Sequence, residues 1–159
     1  GTTITLFLPR PMSDNLQEGS LSSSLQSAEK ALGGNERILV VEDDPLVRVF
    51  LDNALTQLGY KVVTVGDAGE ALNLLGKHSV IDLLIADVVL PRGMSGRELA
   101  AAVKDTHPLM AVLFISGFPD ESMTTDDVTI SPALKKPFEV QDIARRIRAA
   151  IEVRPKVDA

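Results

Sequence analysis

The stretch IDLLIADVVLP, residues 81–91, decides the fold of this chain. A short run of mostly branched apolar residues bounded by turn-forming residues indicates a strand buried on both faces, as in a parallel sheet. The run ends on one acid, Asp87, so this carboxylate is expected at the carboxyl end of a buried strand. Because ligands bind at that edge of open α/β sheets, the neighbouring strands decide which side chains lie beside Asp87.

Apolar strands and amphipathic helices alternate from Arg37 onward, a pattern typical of a doubly wound α/β domain. Further strands are predicted at 38–41, 62–65, 112–115 and 133–136. Asp44 before Pro45, Asp67 with Glu70, and Ser95 with Glu98 predict three helix N-termini, the last two as capping boxes. With a last helix from Val140 and a poorly patterned segment at 118–132, about five helices accompany five strands.

The residues before this domain have a different character. Residues 1–11, GTTITLFLPRP, alternate like a half-buried strand, but they have no neighbouring strand to pair with. Residues 12–35 are rich in Ser, Asn and Gly, which is typical of a linker. The predicted organisation is therefore an isolated strand, a linker, a domain at 36–153 and a tail at 154–159.

Composition excludes several classes of protein. The formal net charge of -6 argues against a nucleic-acid surface, which needs a basic field. The absence of cysteine excludes disulfides and thiolate metal sites and fits a cytoplasmic location. No apolar run approaches the ~20 residues of a membrane span, so no membrane insertion is expected of this sequence.

Five polar side chains are expected at one edge of the sheet, because parallel strands with right-handed crossovers end on the same side. They are Glu42, Asp43, Asp87, Ser116 and Lys136. Three converging carboxylates need a cation between them, and oxygen-only ligands favour Mg²⁺. Such a site suits phosphoryl transfer, with Asp87 as nucleophile, Lys136 neutralising phosphoryl oxygens and Ser116 donating a hydrogen bond.

Four motifs in this order resemble the response-regulator receiver family of two-component signalling. They are VVEDDPLVR at 40–48, IADVVLP at 85–91, FISG at 114–117 and KKPF at 135–138. The resemblance covers roughly residues 37–153. It implies a flavodoxin-like, doubly wound α/β fold with five parallel strands in the order 2-1-3-4-5 and helices on both faces.

The resemblance also implies roles for the residues of the site. Asp87 would be the phosphoacceptor and a metal ligand, Asp43 a direct Mg²⁺ ligand, and Glu42 a supporting ligand through water. The main-chain carbonyl of Val89 would complete the metal site. Ser116 and Lys136 take the family's switch-hydroxyl and phosphate-pairing roles.

The partner implied by the resemblance is a histidine-kinase core or a histidine phosphotransfer domain, whose phosphohistidine supplies the phosphoryl group. The strand GTTITLFLP is similar to the closing strand of the ATP-binding domain of sensor histidine kinases. The chain thus resembles the C-terminal part of a bacterial hybrid histidine kinase without its catalytic core. A receiver catalyses its own phosphorylation and dephosphorylation, so it is an enzyme only in that sense.

The sequence departs from the family at two places. Ala133 stands where the family usually has an aromatic switch residue, three positions before the lysine. The loop at 91–96 is one residue longer than the common form. A binding-only receiver, acting as a docking or autoinhibitory module without phosphorylation, is therefore the alternative function.

Other side chains have simpler explanations. A phosphohydrolase with an aspartyl-phosphate intermediate would need a second acid where Val89 stands. His78 and His107 are expected at the surface, at helix ends. Arginines 145, 146 and 148 are expected on the solvated face of the last helix.

Overall fold

The computed structural model of the chain describes residues 33–77, 80–91, 93–117 and 133–153. The predicted opening strand, most of the linker, His78, the 118–132 segment and the tail lie outside these residues. In the described part of the chain, no helix has the length and apolarity that crossing a membrane requires.

Five parallel strands form one sheet in the order β2-β1-β3-β4-β5, as predicted. The strands are β1 (Arg37–Val41), β2 (Lys61–Val65), β3 (Leu83–Asp87), β4 (Ala111–Ser116) and β5 (Leu134–Lys135). Every residue of β3 is buried, in agreement with its continuous apolar run. The register pairs Val41 with Ala86 and Asp87 with Ile115, so the carboxyl ends of the three central strands lie side by side.

Four described helices cover the two faces of the sheet: α1 (Pro45–Gln57), α2 (Ala68–Leu75), α3 (Gly96–Lys104) and α4 (Val140–Val153). Helices α1 and α4 pack on one face, where Leu51, Leu55 and Ile147 contribute to a core with Ile38 and Leu113. Helices α2 and α3 pack on the other face through a second core. The expectation of helices on both faces is confirmed.

The helix ends follow the local sequence. The carboxylate of Asp44 accepts hydrogen bonds from the main-chain N–H groups of Leu46 and Val47, with Pro45 in the first turn. Helix α1 is followed by Gly59, whose φ of +94° is a conformation that glycine adopts without a steric penalty.

The two predicted capping boxes differ. The Ser95 hydroxyl accepts from the N–H of Glu98, and the Glu98 carboxylate accepts from the N–H of Ser95, so this box is complete. Asp67 accepts from the N–H of Glu70, but the Glu70 carboxylate accepts from Gly66 N–H rather than from Asp67. The capping box of Asp67 and Glu70 is therefore only half formed.

Two further details of the sequence prediction were wrong. Strand β5 has two residues rather than four, and it ends just before Lys136 and Pro137. Proline has no N–H to continue a ladder, which explains the early end.

Arg148 does not lie on a solvated face. Its guanidinium pairs with the carboxylate of Glu36, and its side chain is only 25% exposed. Arg145 is exposed, as predicted, and pairs with Asp142.

Gly96, the first residue of α3, lies directly against the end of β3. A Cβ atom at this position would lie 2.1 Å from the carbonyl oxygen of Asp87 and 3.1 Å from the Cβ of Ala86. Real Cβ atoms do not approach a backbone oxygen so closely, so α3 can reach the strand end only because residue 96 has no side chain.

Candidate functional site

Three carboxylates meet at the carboxyl edge of the sheet. Glu42 and Asp43 follow β1, and Asp87 is the last residue of the neighbouring strand β3. One carboxylate oxygen from each residue lies within 4.8 Å of the others. Glu42 and Asp87 are buried, with relative exposures of 1% and 7%, while Asp43 is exposed. The sequence prediction that these acids converge is therefore consistent with the geometry.

Lys136 joins two of these acids. Its ammonium donates hydrogen bonds of 2.6 Å to Oε2 of Glu42 and 2.6 Å to Oδ2 of Asp87. Lys136 follows β5 directly, and its main-chain N–H donates to the carbonyl of Ser116 at 2.8 Å. The peptide bond between Lys136 and Pro137 is cis. The lysine is thus held against the end of β4 while its side chain spans the acids.

The second oxygen of each buried acid has a main-chain partner. Val89 N–H donates to Oδ1 of Asp87 at 2.9 Å, and Asp44 N–H donates to Oε1 of Glu42 at 3.3 Å. Each of these carboxylates therefore accepts one bond from the ammonium and one from the backbone. Both side chains are fixed in direction by these paired bonds.

Burial sets the charge balance of the site. Burial is the main cause that raises the pKa of Glu42, and the neighbouring negative charge of Asp87 raises it further. The bond to Lys136 acts to lower this pKa, but the net pKa lies above the ordinary value. Burial acts to lower the pKa of Lys136, but its bonds to Asp87 and Glu42 outweigh burial, and the net pKa is raised. Lys136 is therefore a permanent positive charge at neutral pH.

The remaining predicted site residues lie at the same edge. Ser116 ends β4 and is buried, with 4% exposure. Val89 lies in the loop after β3, with 58% exposure. Ala133 is partly buried and packs against the core cluster that contains Phe114.

Sequence reasoning gave no role to Arg48, the last residue of the motif at 40–48. Its Nη1 donates to the main-chain carbonyls of Glu42 at 2.6 Å and Asp43 at 3.1 Å. The available signal was its place at the end of this motif, one helical turn after the two acids.

The donor set fits a hard divalent cation. The three acids offer only oxygen atoms, two of them are buried, and no thiolate is present in the chain. Mg²⁺ prefers such ligands, with one or two carboxylates and further water. The residues at this edge can therefore hold a cation next to the carboxylate of Asp87 and the ammonium of Lys136.

Comparison with known proteins identifies relatives of this domain. The family model of the response regulator receiver domain matches residues 38–148. The response regulator receiver protein CpdR of Brucella abortus (strain 2308) is 34% identical over 114 residues, which cover 70% of this chain and 93% of CpdR. The sheet order and these matches agree with the fold expected from the motifs.

Kinases are also among the relatives. The sensor kinase CckA of Brucella abortus (strain 2308) is 30% identical over 162 residues, covering 96% of this chain but only 17% of the kinase. A crystal structure of the receiver domain from the hybrid histidine kinase CckA superposes with a TM-score of 0.62 at 32% identity, covering 72% of this chain and 98% of that one. The chain thus spans a small part of this kinase relative.

Proposed function

Since this chain belongs to the response-regulator receiver family of two-component signalling, we propose that it accepts a phosphoryl group on Asp87 with the aid of Mg²⁺. The observation that supports this proposal most strongly is that Asp87 belongs to an acid cluster that could hold a metal ion and also pairs with the ammonium of Lys136. A carboxylate in such a setting can act as a nucleophile toward phosphorus.

In the proposed step, a carboxylate oxygen of Asp87 attacks the phosphorus of a phosphohistidine. A P–O bond forms, the P–N bond breaks, and its electron pair returns to the imidazole nitrogen of the donor. The ammonium of Lys136, which is 2.6 Å from Asp87, is close enough to pair with the negative phosphoryl oxygens. Ser116, at the end of the adjacent strand, is proposed to donate a hydrogen bond to another of them.

Mg²⁺ would neutralise charge on the phosphoryl oxygens during this transfer. Asp43 and Asp87 are proposed as its carboxylate ligands, with Glu42 contributing through water and Val89 through its carbonyl. The full set of acids supports phosphorylation over the alternative of a binding-only docking or autoinhibitory module. Val89, an apolar residue, argues against a phosphohydrolase, which would need an acid there.

We further propose that the chain comes from a hybrid histidine kinase. Support comes from CckA, whose alignment extends over 96% of the chain and so includes much of residues 1–35. On this proposal residues 1–11 close an ATP-binding domain, 12–35 form the linker, 36–153 the receiver and 154–159 a tail. The partner would be a cytoplasmic histidine-kinase core or phosphotransfer domain, and the net charge of -6 disfavours nucleic acid as a partner.

The proposal predicts that this protein gains one phosphate when it is incubated with acetyl phosphate and MgCl₂. The reason is that a receiver supplies its own catalytic groups, so a small phosphodonor can replace the kinase. Intact-mass spectrometry measures the gain. Excess EDTA in the incubation should prevent this gain, because the acid cluster then lacks the cation that offsets the charge of the phosphoryl group.

The magnesium requirement can be separated from ionic strength by replacing MgCl₂ with NaCl at equal ionic strength, which should give no gain. A mass gain that persists in EDTA would contradict the role of the metal. No gain under any condition, with acetyl phosphate or a phosphorylated kinase core, would favour the binding-only alternative.

An exposed apolar patch next to the site suits a protein phosphodonor. It consists of Leu46, Val49 and Phe50 on α1, with exposures of 80%, 59% and 41%. The ring of Phe50 lies 6.1 Å from that of Phe138, two residues after Lys136, so the patch adjoins the loop that carries the lysine. Clustered exposed apolar residues mark interaction surfaces.

We expect Leu46→Asp to slow phosphotransfer from a phosphorylated CckA kinase core about tenfold or more. On docking of the donor, an apolar contact made by Leu46 would be replaced by a carboxylate that loses its water. The reaction with acetyl phosphate should keep its rate, because Leu46 is not part of the acid cluster. Leu109→Asp, at a residue that is 42% exposed, is the matched control. Equal transfer rates for both variants would show that the patch does not bind the donor.

A further inference from the structure

Arg48 holds the turn that carries the two acids after β1. One guanidinium nitrogen, Nη1, donates to two successive main-chain carbonyls, those of Glu42 at 2.6 Å and Asp43 at 3.1 Å. The two carbonyls therefore point toward the same atom on α1. Because one charged donor holds two adjacent carbonyls, this double contact restricts the backbone of the acid-bearing turn.

Two main-chain N–H groups of the same turn also donate hydrogen bonds. Glu42 N–H donates to the carbonyl of Val65 at 3.2 Å, and Asp44 N–H donates to the Glu42 carboxylate at 3.3 Å. The first distance is at the upper end of the usual N–H···O range and the second is just beyond it. The hydrogen bond from Arg48 to the Glu42 carbonyl, at 2.6 Å, is shorter than both of these. The bond from the Lys136 ammonium to Glu42 is equally short, but it holds the carboxylate and not the main chain.

Neighbouring residues leave space for the guanidinium. A Cβ atom on Gly66 would lie 3.2 Å from Nη1 of Arg48, so a side chain there would press on the guanidinium. The N–H of Gly66 is itself held by the Glu70 carboxylate at 2.9 Å. The loop after β2 is thus fixed in a position that accommodates Arg48 beside the acidic turn.

We propose that Arg48 is a positioning residue, which orients Glu42 and Asp43 for cation binding through their main-chain carbonyls. This proposal rests on the magnesium-dependent function proposed above. It adds that the affinity of the site for the cation depends on a side chain that makes no contact with the cation. Residues that orient metal ligands commonly change metal affinity by 10–100-fold when they are replaced.

Arg48 also has an electrostatic effect, which would change the affinity for Mg²⁺ in the opposite direction to positioning. The positive charge of Arg48, which is bonded to the acid-bearing turn, would repel a divalent cation, so its removal alone would strengthen Mg²⁺ binding. Positioning predicts the reverse, namely weaker binding after removal. The direction of the change in Mg²⁺ affinity therefore distinguishes positioning from simple charge repulsion.

The test is an NMR titration of the whole chain with MgCl₂, together with amide hydrogen exchange in the metal-free protein. For Arg48→Met we expect the Kd for Mg²⁺ to rise about tenfold. The amides of Glu42 and Asp44 should exchange faster, while that of Leu113 in the centre of β4 should keep its rate. Arg48→Lys, which can donate to a carbonyl but lacks the guanidinium plane, should restore part of both properties.

Arg145→Met is the matched control, because it removes the same charge from an exposed pair on α4 and should leave both measurements unchanged. Unchanged exchange at Glu42 and Asp44 in Arg48→Met, or a lower Kd for Mg²⁺, would overturn the proposal. If the unaltered protein binds no Mg²⁺, the proposed function fails, whereas the exchange rates still decide whether Arg48 orders the turn.

Discussion

Replacement of Asp87 by asparagine is expected to abolish the mass gain with acetyl phosphate and Mg²⁺. The amide has the shape of the carboxylate but lacks the charge and the nucleophilic oxygen that attack on phosphorus requires. Folding should be retained, because Lys136 keeps its 2.6 Å bond to Glu42 and is not left as an uncompensated buried charge. Intact mass measures the phosphate, and circular dichroism measures the fold.

Asp52→Asn provides the control for this result, since Asp52 is an exposed acid on α1. It removes one carboxylate of the same kind without touching the acid cluster, and it should gain phosphate at the normal rate. Phosphate gain by Asp87→Asn equal to that of Asp52→Asn would mean that another residue is the acceptor, and peptide mapping would then identify it.

Gly96→Ala is expected to destabilise the domain by about 2–4 kcal/mol. The new methyl group would lie 2.1 Å from the carbonyl oxygen of Asp87, an atom of the backbone that cannot rotate away. Helix α3 must move off the end of β3, which disturbs the packing between them. Chemical denaturation measures the free energy of unfolding, and a fall in Tm of roughly 5–15 °C should accompany the change.

Gly69→Ala is the matched control for Gly96→Ala, since Gly69 also lies in the first turn of a helix. Its added Cβ would meet only the side chain of Asp67, at 3.2 Å, and that carboxylate can adjust. The change in its free energy of unfolding should stay within about 1 kcal/mol. A Gly96→Ala variant as stable as Gly69→Ala would show that α3 tolerates displacement from the strand.

The sheet and the acid edge were predictable from the sequence because both depend on local patterns. The continuous apolar run of β3 predicts a strand buried on both faces, and each site residue lies at or just after the end of a predicted strand. The N-cap role of Asp44 was likewise predictable, since a carboxylate before proline suits a helix N-terminus.

Features that depend on distances between remote segments were not predictable. The pair of Glu36 and Arg148 joins residues 112 positions apart, and its arginine resembled an ordinary surface residue in the helical pattern. The need for glycine at position 96 depends on how closely α3 approaches β3. The hydrophobic periodicity of the sequence does not predict this distance. The contacts of Arg48 involve main-chain carbonyls, and these leave no trace in residue identity.

The bonds of Lys136 would make the proposed cation binding at this edge an exchange reaction rather than an addition. Both carboxylate oxygens of Glu42 and of Asp87 already accept hydrogen bonds, one from the ammonium and one from the backbone. An incoming divalent ion must share or take over the oxygens held by the lysine. If the proposed Mg²⁺ binds here, its affinity would be the difference between two ionic interactions, and the lysine would act as a competitor that raises the metal concentration needed for binding.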